Sequence, residues 1–132
     1  MKSAQDFLQS ANTDVQKISA QQGIEHHQAG GTVFVDVRDS SEIVQSGTIQ
    51  GAHRIPRGFI EFAADPAMEK FHNPAMQKDA RICLVCGAGG QAALAGQTLQ
   101  QMGYQNVFNV GGIGYGLRAY RNECTQCLYM CR

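Results

Sequence analysis

Arg81-Ile82-Cys83-Leu84-Val85-Cys86 runs directly into Gly87-Ala88-Gly89-Gly90, and Gln91-Ala92-Ala93-Leu94-Ala95-Gly96-Gln97-Thr98-Leu99 follows at once. The first stretch is almost continuously apolar and reads as a buried strand. The glycines let the backbone curl so that several N–H groups point inward. The small-residue stretch reads as a helix whose positive end faces the same turn. Cys86 therefore stands at the base of an anion cradle. The thiolate is the reactive form of cysteine, and such surroundings favour it.

Outward from this junction the chain alternates strand and helix signals. Thr32-Val33-Phe34-Val35-Asp36-Val37 is a second β-branched, apolar strand. Asp39-Ser40-Ser41-Glu42 reads as a helix start and Gly47 as its stop. Ile49 to Pro56 reads as extended. Arg57 to Phe62 and Ala67 to Phe71 read as short helices separated by Asp65-Pro66, and Asn73-Pro74 as a turn. Gly90 to Met102 carries the strongest helix pattern, closed by Gly103, and Asn106 to Val110 is a further strand before Gly111-Gly112. Residues 1 to 30 read as helical, with Phe7, Leu8, Val15 and Ile18 spaced for short amphipathic pieces and Gly30-Gly31 as the end. The pattern predicts an α/β fold in three layers, a central and mostly parallel sheet flanked by helices.

Composition narrows the function classes. At 132 residues the chain is expected to form one domain, 1–132. Eleven basic residues balance eleven acidic ones, which gives no electrostatic footprint for nucleic acid or a membrane surface. No stretch reaches the roughly 18 apolar residues that span a bilayer. The start, Met1-Lys2-Ser3-Ala4-Gln5-Asp6-Phe7-Leu8, lacks a signal-peptide core, so a cytoplasmic location is expected. Five cysteines, an odd number, point to free thiols rather than a disulfide framework.

Several blocks in a fixed order resemble the rhodanese-like, single-domain sulfurtransferase family. They are Val35-Asp36-Val37-Arg38-Asp39 with Glu42, Gly47-Thr48-Ile49-Gln50-Gly51-Ala52 leading to Ile55-Pro56-Arg57-Gly58, Cys86 with its loop, Leu99 to Val107, and Gly111-Gly112. The resemblance spans about residues 15 to 113, and 117–132 form a divergent C-terminal tail. It implies that Cys86 takes a sulfane sulfur from thiosulfate or a persulfide and hands it to cyanide or a thiol, without metal or cofactor. Substrate binding then falls to Gly87, Ala88, Gly89, Gly90 and Gln91, through backbone N–H groups that need no side chain. A small anionic donor and a thioredoxin-like or cysteine desulfurase partner are implied as well.

Two departures stand out. The family loop is Cys-x-x-Gly-x-Arg, and Gln91 occupies the arginine position. Glutamine donates a hydrogen bond but offers no charged fork to an oxyanion, so weakened use of thiosulfate is expected. The family often carries Trp after the Gly-Gly pair, where this chain has Gly116 and no Trp anywhere. Gln91 also keeps open a non-catalytic binding or regulatory module on this scaffold. A cysteine phosphatase would need arginine where Ala92 stands.

The remaining candidates divide between chemistry and structure. Cys83 reads as core packing. Asp36 and Arg38 read as a strand-end pair that supports the neighbouring loops. Arg57 is either a charge at the site mouth that partly replaces the missing loop arginine or a solvated side chain. Cys124, Cys127 and Cys131 would share one helical face with Leu128. That face is open to three readings: packing, a resolving thiol cluster, or zinc, which would need a fourth ligand such as His26, His27, His53 or His72.

Overall fold

A computed structural model of the chain describes residues 1–112. Cys124, Cys127 and Cys131, and the tail reading, lie outside the described residues. The elements in order are α1 (Ala4–Asp14), β1 (Gln16–Lys17), α2 (Ala20–Ala29), β2 (Thr32–Asp36), α3 (Ser40–Ser46), β3 (His53–Arg54), a 3-10 turn (Arg57–Phe59), α4 (Ile60–Ala64), β4 (Arg81–Cys86), α5 (Gly90–Gln101) and β5 (Val107–Gly112). The sheet runs β1-β5-β4-β2-β3, and every neighbouring pair is parallel.

The alternation of side chains along the central strands builds two cores. Val35, Val37, Ile82, Leu84 and Cys86 face one side, where they meet Ala92, Ala95 and Leu99 of α5 and Ile60, Ala63 and Ala64 of α4. Phe34, Cys83 and Val85 face the other side with Ile24 of α2, Ile49 and Val110. This two-sided burial explains why β2 and β4 read as continuous apolar runs. The helices stay short and small-sided where they press on the sheet. A Cβ on Gly96 of α5 would lie 2.9 Å from Val15, so only glycine lets α5 seat this closely.

Local chemistry sets the element ends. Ser3 with Asp6, and Ser19 with Gln22, form reciprocal capping boxes at the starts of α1 and α2. Gly47 closes α3 at a positive φ of 76°. Asp39 stands at the α3 cap position without making a side-chain cap bond.

Three sequence expectations are corrected. The helical reading of residues 1 to 30 holds for two short helices, α1 and α2, but between them Gln16–Lys17 pair with Phe108–Asn109 at the sheet edge. Both residues of that strand are exposed, so no apolar alternation announces it. Ala67 to Phe71 is a set of turns: Asp65 Oδ1 accepts from Ala67 N, and Met68 O accepts from both Phe71 N and His72 N. The span between Pro66 and Pro74 is too short and too interrupted to propagate a helix. From Ile49 to Pro56, Ile49 makes an isolated bridge, Gln50–Gly51 turn and His53–Arg54 form β3, so the span is not one extended piece.

Burial in the second core pushes the Cys83 thiol up to about 12, with Arg81 opposing weakly. Burial, and then Asp65, also raises Tyr104, whose hydroxyl donates to the carbonyls of Ala64 and Met76. Above the ordinary thiol value of 9.0 the unfolded chain gives up the Cys83 proton first. The folded state then holds more protons, so stability falls as pH rises through this window. Urea unfolding between about pH 8 and about pH 10.5 is expected to show that decline. Cys83→Ala should flatten it by up to roughly 1.4 kcal/mol per pH unit. An equal slope in the variant would show that Cys83 does not carry the effect.

Candidate functional site

The site forms at the C-terminal end of the parallel sheet, where β4 turns into α5. Cys86 is the last residue of β4 and is 1% exposed. Its Sγ accepts hydrogen bonds from the backbone N–H of Gly89 at 2.9 Å and of Ala92 at 3.4 Å. Two oriented amides therefore point at one sulfur, as the glycine turn and helix start require. Gly89 sits at φ +99°, a conformation that a side chain would strain, and this turns its N–H back onto the sulfur.

Side chains of the neighbouring strands hold the loop from below. Asn109 on β5 is fully buried; its Nδ2 donates to Gly89 O at 3.0 Å, and its Oδ1 accepts from Gly111 N at 2.8 Å. A Cβ on Gly112 would collide with the Gly87 carbonyl, so the loop lies flat on the end of β5. Sequence reading gave Asn109 no role. The signal available was a lone amide inside Val107-Phe108-Asn109-Val110, where a buried polar group needs a partner. Asn109→Ala strips Gly111 N of its partner and frees the loop. The expected cost is about 1–3 kcal/mol in urea unfolding, together with slower reaction of Cys86 with an alkylating agent or sulfur donor. Unchanged stability and unchanged Cys86 reactivity would remove Asn109 from this role.

Asp36 and Arg38 meet as the strand-end pair the sequence suggested. Arg38 Nη2 lies 2.8 Å from Asp36 Oδ2, and both side chains are buried. Thr48 Oγ1 donates to the same Asp36 oxygen at 2.6 Å. Arg38 also donates to Ser46 Oγ and to Gly47 O, tying the end of β2 to the end of α3. Burial alone disfavours the guanidinium charge; Asp36 outweighs that, Glu42 and Cys86 add to it, and Arg38 stays above its ordinary value. Neither Asp36 nor Arg38 bonds to Cys86 among the described residues; their bonds go to each other, Thr48, Ser46 and Gly47. Glu42 of α3 stands at the rim, with its Oε2 3.9 Å from where a Gly87 Cβ would be.

Arg57 follows Pro56 into the 3-10 turn, whose start is pinned by Arg57 N donating to Val37 O. It borders a cleft of about 460 Å³ shared with Gly90 and Gln91 of the loop. The structure therefore brings Arg57, Gln91 and the cysteine loop together, while Ala88 is exposed at the loop tip.

Comparison with known proteins agrees with this geometry. Residues 19–115 match the family described as the rhodanese-like domain. A mitochondrial Schizosaccharomyces pombe protein that carries the provisional name thiosulfate sulfurtransferase is 30% identical over 87 residues, 61% of this chain and 59% of that protein. The chain thus spans about three fifths of that relative's length. A Rhodopseudomonas palustris protein of unknown function, described as a possible tyrosine phosphatase, is 30% identical with a TM-score of 0.83, over 98% of this chain and 96% of its own. A human single-domain sulfurtransferase shares the fold at 23% identity and a TM-score of 0.67, over 83% of this chain and 98% of its own. The parallel sheet, the cysteine loop between β4 and α5 and the matched span together place this chain in the rhodanese-like domain family.

Proposed function

We propose that the protein is a sulfurtransferase that carries a sulfane sulfur on Cys86. The observation that supports this best is the pair of backbone amides, Gly89 and Ala92, aimed at Sγ. In the loading step the thiolate attacks the outer sulfur of a donor persulfide. A new S–S bond forms at Cys86, the donor's own S–S bond breaks, and its electron pair leaves on the carrier thiolate, which takes a proton. An acceptor thiol or cyanide then attacks the outer sulfur of the Cys86 persulfide and regenerates the thiolate. The cycle is ping-pong and needs no external oxidant or reductant. The backbone donors hold the Sγ thiolate without any side chain.

Donor choice follows from the loop. Gln91 cannot grip a doubly charged thiosulfate as an arginine would, and Glu42 adds negative charge at the rim. A glutathione persulfide or a protein persulfide, delivered by a cysteine desulfurase or passed on to a thioredoxin-like protein, suits the site better. Free thiols suit a reducing compartment such as the cytoplasm. No helix among the described residues is long and apolar enough to cross a membrane. The phosphatase description of the bacterial relative finds no support in the loop, because Gln91 and Ala92 offer no charged fork for a phosphoryl group.

Incubation of the reduced protein with glutathione persulfide and, separately, with thiosulfate tests the reading by intact mass and peptide mapping. One added sulfur on the Cys86 peptide is expected from the persulfide, with much slower loading from thiosulfate. Gln91→Arg should speed thiosulfate loading by about tenfold, the effect of one charge-assisted contact. The burial of Cys86 and the loss of the loop charge favour one other reading, a non-catalytic module. Absence of added sulfur from both donors in folded protein would select it.

A further inference from the structure

The cleft beside the loop has a wall that the family match does not include. Phe7 and Leu8 of α1 line it together with Leu94, Gly90 and Gln91 of α5 and Arg57. The match to the family begins at residue 19, so α1 lies outside the matched span. That helix is firmly placed. Gln97 Nε2 donates to Ser10 Oγ and Asp14 Oδ2, both at 2.9 Å, and Gln100 Nε2 donates to Asp14 O. Leu8 comes within 3.4 Å of where a Gly90 Cβ would stand, which sets the helix directly against the loop's edge.

The cleft is apolar with positive charge at its border. Phe7 is 50% exposed and leaves its ring open to the cleft. Lys2 Nζ lies 5.6 Å from the Phe7 ring centroid. Arg57 has only a loose ion pair, 3.9 Å to Glu61, and its Nε is buried with no acceptor among the described residues. The Arg57 side chain is 32% exposed, so it offers a cation beside an apolar wall, which suits a ligand with both an anionic group and a hydrophobic body.

We propose that this cleft is a subsite for an organic sulfur carrier, an aromatic or alkyl thiol bearing one carboxylate. Its body lies on Phe7, Leu8 and Leu94, and its carboxylate meets Arg57 and Gln91. The proposal rests on the sulfurtransferase reading of Cys86 and names the donor class within it. The loading step is the one written above, with this carrier's thiolate as the leaving group.

The test compares Cys86 loading by the persulfide of para-(mercaptomethyl)benzoate, by the persulfide of its methyl ester, and by thiosulfate. The free acid should outpace the ester by about tenfold, and Arg57→Gln should erase that difference. The double variant Phe7→Ser with Leu8→Ser should lower the acid-to-thiosulfate rate ratio by about tenfold. Sulfur-free para-toluate provides a second readout: it should shift amide resonances of Phe7, Leu8 and Gln91 in a spectrum of the wild-type protein. An unchanged rate ratio in the double variant, or no toluate shifts at millimolar concentration, would overturn the subsite. If no donor loads Cys86 while para-toluate still shifts these residues, the sulfurtransferase reading fails and the carboxylate subsite stands.

Discussion

Cys86→Ser is expected to lose sulfur loading by at least about 1,000-fold while the fold survives. A serine hydroxyl is a poor nucleophile at neutral pH, and nothing among the described side chains bonds to position 86 as a base would. The Sγ contacts come from the backbone N–H groups of Gly89 and Ala92. A serine oxygen still accepts from those amides, so the stability change should stay within about 1 kcal/mol. Intact mass after persulfide treatment, paired with a thermal melt, separates the two effects. The other described cysteine does not confound the result, because Cys83 is fully buried and its raised pKa keeps it a thiol. Retained loading in a folded Cys86→Ser protein would move the chemistry elsewhere in the chain.

The largest stability loss is expected from Asp36→Ala. That change removes the partner of a buried guanidinium and the acceptor of the Thr48 hydroxyl in one step. Breaking a buried pair from one side costs about 3–5 kcal/mol, since the surviving charge stays desolvated. Arg38→Met added to Asp36→Ala removes the stranded charge and should recover part of that loss. Urea midpoints of the single and double variants decide this, and a double variant less stable than the single would contradict it. The consequence for function is indirect. Asp36 and Arg38 join the end of β2 to Gly47 and Ser46, and that junction carries Glu42 and the start of the Arg57 turn. Loss of the clamp should loosen the rim around Cys86 more than the sheet itself.

Much of this architecture was legible in the chain. β4 and α5 emerged with their boundaries nearly unchanged because both signals are local: an apolar run, a glycine turn and a periodic small-residue stretch. Thr32 to Asp36 was equally plain, since a strand covered on both faces must be apolar throughout. The turns at Ala67 to Phe71 were misread as helix because short spans carry too few residues for periodicity to discriminate. The edge strand Gln16–Lys17 was invisible for a different reason. Its pairing partner lies 92 residues away, Gln16 opposite Phe108, and neither of its side chains is buried.

By itself the sequence determined the strands at Thr32–Asp36, Arg81–Cys86 and residues 107–110, the helix from Gly90, and the position of the cysteine at a strand-to-helix turn. Those are properties of neighbours in the chain. Tertiary structure alone decided that Asn109 holds the loop, that Thr48 and Gly47 complete the Asp36–Arg38 clamp, and that α1 walls a cleft against Arg57. Each of these joins residues far apart in sequence. The energy that selects them is burial of polar groups that must find partners, and a partner is chosen by the packing of the whole sheet rather than by any local pattern.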